Sequence, residues 1–100
     1  MLTIWKFPLK PGFFKVSMPK GARVLSVQTQ RTRDSVSGEA MMWALCDDSP
    51  TTEKELRDFL TLGTGHDASA VRNMRFVGTF QLDDGALVFH LFEGSRYAGE

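Results

Sequence analysis

The fold is decided by residues 76–93, which read FVGTFQLDDGALVFHLFE. Two runs rich in β-branched and aromatic residues flank Asp84-Gly85, a dipeptide that favours the two-residue type I′ turn of a β-hairpin. A turn at this position places Leu82 opposite Leu87 and sets the pairing of the residues farther along both strands. The stretch therefore predicts an antiparallel hairpin whose register is known residue by residue.

The predicted register separates a core face from a mixed face. The core face consists of Phe76, Phe80, Leu82, Leu87, Phe89 and Leu91. On the other face Thr79 lies opposite His90 with apolar residues at the flanks, as in interfaces where apolar contacts surround a few polar groups. The predicted interface consists of Val77, Thr79, Gln81, Val88, His90 and Phe92. A solvated outer face and a small-molecule groove are the alternative interpretations of this surface.

The composition is that of an ordinary globular domain. The chain has 100 residues, of which 42% are hydrophobic and 24% are charged, unlike a disordered chain. Its 12 basic and 12 acidic residues give a formal net charge of zero, whereas nucleic-acid-binding domains usually carry a basic excess. The balance favours a single folded domain and argues against nucleic acid as the main partner.

The cysteine content and the N-terminal segment predict a cytoplasmic protein. Cys46 is the only cysteine, which rules out an intramolecular disulfide and fits a reducing compartment. Its neighbours Asp47 and Asp48 disfavour the thiolate, so a buried structural thiol is predicted. Residues 1–8 lack the features of a signal peptide, and no apolar run approaches the roughly 18 residues of a membrane span.

Proline and glycine clusters divide the rest of the chain into short extended segments. The strands predicted before residue 50 are residues 2–7, 13–18, 22–30 and 40–46. Alternation within the third strand places Val24 and Ser26 on one face and Leu25 and Val27 on the other. The polar, turn-rich residues 31–39 predict a mobile loop.

Residues 51–62 fit two different structures. Three apolar residues at helical spacing and a Thr52–Glu55 capping pair favour a helix. Residues 57–62 equally fit a short strand that ends at Gly63, and periodicity alone does not separate the two for so short a run.

Short strands with turn signals at intervals of roughly 8–12 residues predict an all-β fold. We expect a small antiparallel sandwich or partly open barrel of about six or seven strands, with at most one short helix between residues 51 and 73. A single β-rich domain is expected over residues 1–94, followed by a frayed tail at residues 95–100.

An ordered series of short motifs runs through most of the chain. The motifs are Thr3-Ile4-Trp5-Lys6-Phe7, Met18-Pro19-Lys20-Gly21-Ala22, Leu25-Ser26-Val27-Gln28, Trp43-Ala44-Leu45, Gly63-Thr64-Gly65-His66, Gly78-Thr79-Phe80-Gln81 and Gly85-Ala86-Leu87-Val88-Phe89-His90. Over residues 3–93 the series resembles a family of small uncharacterised proteins encoded mainly by phages and prophages. The resemblance implies a phage context, a function that is not defined, and an extended conformation for residues 57–62. Two features depart from the family pattern: residues 31–42 exceed the usual tight turn, and Asp67 follows His66 where proline is common.

The glycine-rich residues 63–66 predict a sharp turn. Glycines so placed also let backbone N–H groups approach a phosphate. A P-loop, however, has longer spacing and a lysine before Ser or Thr, and this segment has neither.

Histidine, cysteine and carboxylate residues show no metal-ligand spacing. The candidates are His66, His90, Asp67, Asp83 and Cys46. Zinc sites have close ligand pairs, and here only His66 and Asp67 are adjacent in sequence. Serine, histidine and aspartate occur without a nucleophile elbow. The sequence therefore predicts no metal, no cofactor and no catalytic residue.

The sequence favours a non-catalytic interaction module that self-associates, with a host or phage protein as a further partner. The alternative is a single-stranded nucleic-acid-binding protein that uses the loop 31–39. Its candidate residues are Arg23, Arg31, Arg33 and Trp43, which combine phosphate contacts with a stacking platform.

Overall fold

The structure is a computed structural model and describes residues 1–94, apart from the side chains of residues 32 and 35–37. The frayed tail predicted for residues 95–100 lies outside the described residues. The described chain forms seven strands: β1 (Leu2–Pro8), β2 (Gly12–Pro19), β3 (Arg23–Thr32), β4 (Ser35–Asp47), β5 (Lys54–Gly63), β6 (Met74–Leu82) and β7 (Leu87–Gly94). Its helical segments are the short 3₁₀ turns Ser69–Asn73 and Asp83–Gly85, and no helix in the described range is long and apolar enough to cross a membrane.

The strands form two antiparallel sheets, one in the order β1-β4-β3 and the other in the order β2-β5-β7-β6. The all-β prediction is confirmed, and the arrangement is sandwich-like because the sheets do not close into a barrel. The edge strands β3 and β6 lie against each other along one side, where the Thr29 hydroxyl donates to the Gln81 carbonyl. With extents of 42 × 36 × 16 Å, the molecule is a thin plate with two broad outer faces.

The core lies between the sheets and uses alternate residues of the strands. The largest fully buried side chains are Phe59, Met18, Met42, Leu91 and Cys46. The rings of Phe14 and Phe59, on the paired strands β2 and β5, stack with centroids 5.5 Å apart. Burial of a side chain of this size stabilises the fold by about 1.5–3 kcal/mol, so the stack anchors the four-stranded sheet.

The register of the β6–β7 hairpin agrees with the prediction. Leu82 pairs with Leu87, and Thr79 pairs with His90. The hairpin therefore has the polar outer pair that the Asp-Gly turn implied, whereas of the apolar pair Leu82 packs against the core and Leu87 is 48% exposed.

The turn itself is longer than predicted by one residue on each side. Asp84 and Gly85 have φ values of 54° and 91°, as a type I′ turn requires, and the Ala86 N–H donates to the Asp83 carbonyl at 3.0 Å. Asp83 also adopts a positive φ of 53°, which takes it out of the extended conformation. Strand pairing consequently begins at residues 82 and 87 rather than at residues 83 and 86.

A β-bulge in β3 makes the predicted alternation of that strand wrong. Leu25 is the extra residue, because Val24 pairs with Ala44 and Ser26 pairs with Trp43. The bulge turns the strand by one residue, so Val24 and Val27 both point into the core although alternation placed them on opposite faces.

A second bulge, in β6, corrects the faces of two hairpin residues. Val77 is the extra residue between the Phe76–Phe92 and Gly78–Leu91 pairs. Val77, predicted at the interface, instead packs against the core. Phe76, predicted on the core face, is 55% exposed on the outer face.

One bulge lies on each of the two edge strands that meet, β3 and β6, and these strands approach each other closely. A Cβ atom built on Gly78 would lie 2.6 Å from Val27 Cγ1, which is closer than van der Waals contact allows. A side chain at residue 78 would therefore force Val27 to move, and this constraint comes from the neighbouring sheet and not from within the hairpin.

The structure resolves the ambiguity at residues 51–62 in favour of a strand. β5 covers Lys54–Gly63, as the family resemblance implied, and the helical interpretation is wrong. Thr52 takes part in a turn, in which its N–H donates to the Ser49 carbonyl at 3.0 Å. The only helical residues between 51 and 73 in the described chain are the 3₁₀ turn at its end.

The prediction of a mobile loop at residues 31–39 is also wrong. β3 continues to Thr32 and β4 begins at Ser35, so a tight turn at Arg33 and Asp34 joins two long strands. Pairing of two polar strands depends on backbone hydrogen bonds, which a hydropathy pattern does not reveal.

Candidate interaction surface

The outer face of the four-stranded sheet carries a continuous row of apolar side chains, called here the apolar band. The register places one residue of each strand in this row: Phe13, Leu60, Phe92 and Phe76. Phe13 and Phe76 at its ends are 71% and 55% exposed, whereas Leu60 between them is only 3% exposed. The rings of Phe76 and Phe92 meet edge to face with centroids 5.5 Å apart.

A Thr–His–Thr cluster lies beside the apolar band. Thr79 Oγ1 is 2.9 Å from His90 Nδ1, and Thr64 Oγ1 is 2.8 Å from His90 Nε2. The Thr64 hydroxyl also lies 3.3 Å from the Val88 carbonyl oxygen, to which it donates. The arrangement fits a His90 tautomer with its proton on Nε2, because that proton is then donated to Thr64 and Thr79 donates to Nδ1. The cluster fixes the imidazole ring and leaves neither nitrogen without a partner.

Sequence reasoning found the Thr79–His90 pair but missed Thr64. The segment 63–66 was predicted as a turn, and it is one: the His66 N–H donates to the Gly63 carbonyl at 3.2 Å. The Thr64 N–H donates to the Val88 carbonyl at 3.0 Å, which docks the turn on β7. No local signal predicts this contact, because it depends on the position of β5 next to β7.

Opposite charges flank the other side of the apolar band. Lys15 Nζ lies 2.5 Å from Asp58 Oδ1, and both side chains are exposed. These two residues also line a cleft of about 380 Å³ that includes Phe13 and Met74. The remaining predicted interface residues, Gln81 and Val88, pair with each other on the far side of the cluster.

The residues of the nucleic-acid alternative do not form one patch. Arg23 and Trp43 lie on the outer face of the three-stranded sheet, where they pair with Leu45 and Ser26. Arg31 points to the other side of β3 and forms an ion pair with Asp84. Arg33 lies in the turn between β3 and β4.

A buried ion cluster, not expected from the sequence, closes one end of the core. Glu93 accepts hydrogen bonds from Arg57 Nε at 2.6 Å and from Arg75 Nη2 at 2.7 Å. Arg57 also donates to the Ala22 carbonyl at 2.6 Å, and its Nη1 lies 3.8 Å from Glu55 Oε1. The side chains of Arg57 and Glu93 are 9% and 8% exposed. The sequence did contain a signal for the burial of Glu93, because the alternation that places Phe89 and Leu91 in the core continues to this residue.

Cys46 is buried, as predicted, but its thiol is kept protonated by burial and not by the neighbouring carboxylates. Its side chain is fully buried, and this burial raises the pKa of the thiol. Asp47 and Asp48 point instead to the N-terminal amine, 3.5 Å and 3.2 Å away. The hydrogen bond from that amine to Asp48 raises the pKa of the amine, and the Ser49 N–H lowers the pKa of Asp47.

No group of three or more histidine, cysteine and carboxylate residues within residues 1–94 is arranged to hold a metal ion. His90 contacts Thr64 and Thr79, His66 closes the turn at Gly63, and Cys46 lies in the core.

Comparison with known proteins shows the family. No curated protein and no solved structure matches the chain. A family model described as a domain of unknown function, DUF7352, matches residues 1–99. Since this match covers nearly the whole chain, the protein belongs to the DUF7352 family.

Proposed function

We propose that the protein is a non-catalytic interaction module that self-associates through the outer face of the four-stranded sheet. The apolar band is the observation that carries the proposal. Scattered apolar residues are normal on protein surfaces, but contiguous apolar patches usually mark sites of association. Phe13 and Phe76 project at the two ends of a row whose centre, Leu60, is already shielded from water.

A second copy of the chain is the partner that this face fits best. The formal net charge is zero, so no net repulsion opposes association of two copies. The broad face of a plate of 42 × 36 Å is large enough for the roughly 800 Å² per partner of a stable interface. Lys15 and Asp58 are paired within each copy, so the charged side of this face brings no net charge to the contact.

The order of the apolar band suggests how two copies meet. A two-fold axis parallel to the strands, at the middle of the band, opposes Phe13 of one copy to Phe76 of the other. The Thr–His–Thr cluster then lies at the rim, where polar groups orient an apolar contact. Phe76 thus replaces Val77 in the interface proposed from the sequence.

The proposal is tested with two variants matched for exposure. Phe76 and Ile4 are each 55% exposed, but Ile4 lies on the outer face of the three-stranded sheet. We expect Phe76→Lys to lower the mass measured by light scattering after gel filtration, whereas Ile4→Lys leaves it at the wild-type value. A wild-type protein that is monomeric at its solubility limit, or equal effects of both variants, excludes this face as a homo-oligomer interface.

The phage or prophage role stays part of the proposal and is supported by the family resemblance. Neighbouring genes in the source genome test the context: structural or regulatory phage genes support it, and housekeeping genes on both sides contradict it.

Nucleic-acid binding gains less support from the positions of its residues. Arg31 is paired with Asp84 and does not share a face with Trp43. A mobility shift with single-stranded DNA that weakens with salt and is lost in Arg31→Ala with Arg33→Ala would establish this alternative.

A further inference from the structure

The sandwich keeps a cleft open between its sheets at the end opposite the buried ion cluster. The cleft has a volume of about 250 Å³, and its apolar walls include Leu9, Phe80, Leu82 and Phe89. Thr61, on the core face of β5, lines the same cleft. This cleft is distinct from the apolar band, which lies on the outer face of the four-stranded sheet.

Two small residues lie near Thr61, one on the paired strand β2 and one on the facing sheet. Gly12 pairs with Thr61 on β2, and no atom lies within 4 Å of the position that a Cβ on Gly12 would occupy. Ala40 is the small residue contributed by the facing sheet. The Leu9 N–H donates to the Ala40 carbonyl at 3.0 Å, which extends the β1–β4 pairing and fixes both residues on the same wall of the cleft.

One polar group in this cleft has no partner. Thr61 is 8% exposed, and within the described residues its Oγ1 is the buried side-chain oxygen or nitrogen that forms no hydrogen bond. Most buried hydroxyl groups in proteins are hydrogen-bonded, because desolvation without compensation is unfavourable. A hydroxyl both donates and accepts, so an N–H, a carbonyl or a hydroxyl group can complete Thr61, and a hydroxyl can do so in either direction.

We propose that this cleft binds a small aromatic molecule that carries one hydroxyl group. A cavity of about 150 Å³ lined by apolar residues accommodates benzene, so the larger volume here admits a substituted ring. Phe80 and Phe89 stack at an angle of 25° with centroids 5.7 Å apart, and present aromatic surface to such a ring. The ligand hydroxyl bonds to Thr61 Oγ1 while the ring fills the space between Ala40 and the two phenylalanine rings.

The test compares p-cresol with toluene, which has the same ring and methyl group without the hydroxyl. Binding is followed by amide chemical shifts of the full chain during titration. We expect p-cresol to bind about three- to tenfold more tightly than toluene, the ratio that one net hydrogen bond supplies. The largest shifts are expected around Thr61 and Phe80.

Three variants make the test specific. Thr61→Val keeps the shape but removes the hydroxyl, and we expect the preference for p-cresol to disappear while toluene still binds. Thr61→Ser restores the preference, and Thr79→Val, which removes a threonine hydroxyl on the outer face, leaves it unchanged. Ala40→Leu narrows the cleft from the facing sheet, so we expect it to weaken the binding of both ligands.

Several results would overturn the proposal. These are equal affinity of wild type for the two ligands, no saturable shift with either, or a preference that survives in Thr61→Val. A crystal structure in which an ordered water on Thr61 Oγ1 persists in the presence of p-cresol also overturns it.

Discussion

The two ends of the core differ in how they treat a buried polar group. Arg57 and Thr61 lie on the same face of β5, on either side of Phe59. Arg57 is held by Glu93, by Glu55 and by the Ala22 carbonyl, whereas Thr61 Oγ1 has no partner in the described part of the chain. One strand therefore presents a satisfied charge at one end and an unsatisfied hydroxyl at the other. The satisfied end is a structural element, and the unsatisfied end is the place to look for a ligand.

The largest expected effect comes from breaking the charged end. Glu93→Leu leaves the Arg57 guanidinium buried without its main partner, and we expect a loss of about 3 kcal/mol in the free energy of unfolding measured in urea. The value is near the lower end of the range for such groups because Glu55 remains 3.8 Å away. Arg57→Met combined with Glu93→Leu is the control, since it removes both charges and should recover much of the loss. A double variant less stable than Glu93→Leu would contradict this account.

The second effect concerns the side of the core that is closed tightly, in contrast to the open cleft. Gly78→Ala places a Cβ against Val27, and overpacking of this kind destabilises by about 1–3 kcal/mol. Val27→Ala with Gly78→Ala should relieve part of the cost, giving a favourable coupling energy in a double-mutant cycle. Additive losses would show that β3 and β6 do not touch at this point.

The third effect has the opposite sign and belongs to the cleft end. Thr61→Val removes a buried hydroxyl that has no hydrogen bond, so we expect the free energy of unfolding to rise by about 1 kcal/mol. Thr79→Val is the matched change on the outer face, where it removes a hydrogen bond to His90 and should lower stability. Thermal unfolding of both variants checks the contrast, which fails if the two shift the midpoint in the same direction.

A smaller effect distinguishes the two arginines that bind Glu93. Arg75 is 61% exposed, so Arg75→Ala should change the free energy of unfolding by less than about 1 kcal/mol. Urea unfolding under the conditions used for Glu93→Leu provides the comparison. A loss as large as that of Glu93→Leu would mean that the cluster, and not burial of Arg57, sets the cost.

The smallest effect on the fold, but a direct measure of its interior, is the reactivity of Cys46. Burial raises the pKa of its thiol, so the thiolate is scarce in the folded protein and forms more readily after unfolding. The contribution of Cys46 to the free energy of unfolding is therefore fully present below the ordinary thiol pKa. It is lost as the pH rises from that value through the raised pKa of the folded state. We expect slow alkylation by iodoacetamide in buffer and fast alkylation in urea. Equal rates would place the thiol at the surface.

Local pattern reasoning succeeded where the chain interacts with its own neighbours in sequence. The Asp84-Gly85 turn and period-2 alternation predicted the β6–β7 register and the Thr79–His90 pair. It failed at residues 31–39, because a polar hairpin is stabilised by backbone pairing that leaves no hydropathy signal. Of the candidate interface, it predicted the Thr79–His90 pair but missed Thr64 and assigned Val77 and Phe76 to the wrong faces.

The sequence alone was sufficient for the β class, the positions of most strands and the pairing of the last hairpin. These follow from side-chain periodicity and turn chemistry, which act over a few residues. The bulges at Leu25 and Val77, the contact of Thr64 with His90 and the cleft at Thr61 arise only when separate strands meet. Each depends on the volume and hydrogen-bonding groups that one strand offers to another, and neither quantity is encoded in the order of residues along a single strand.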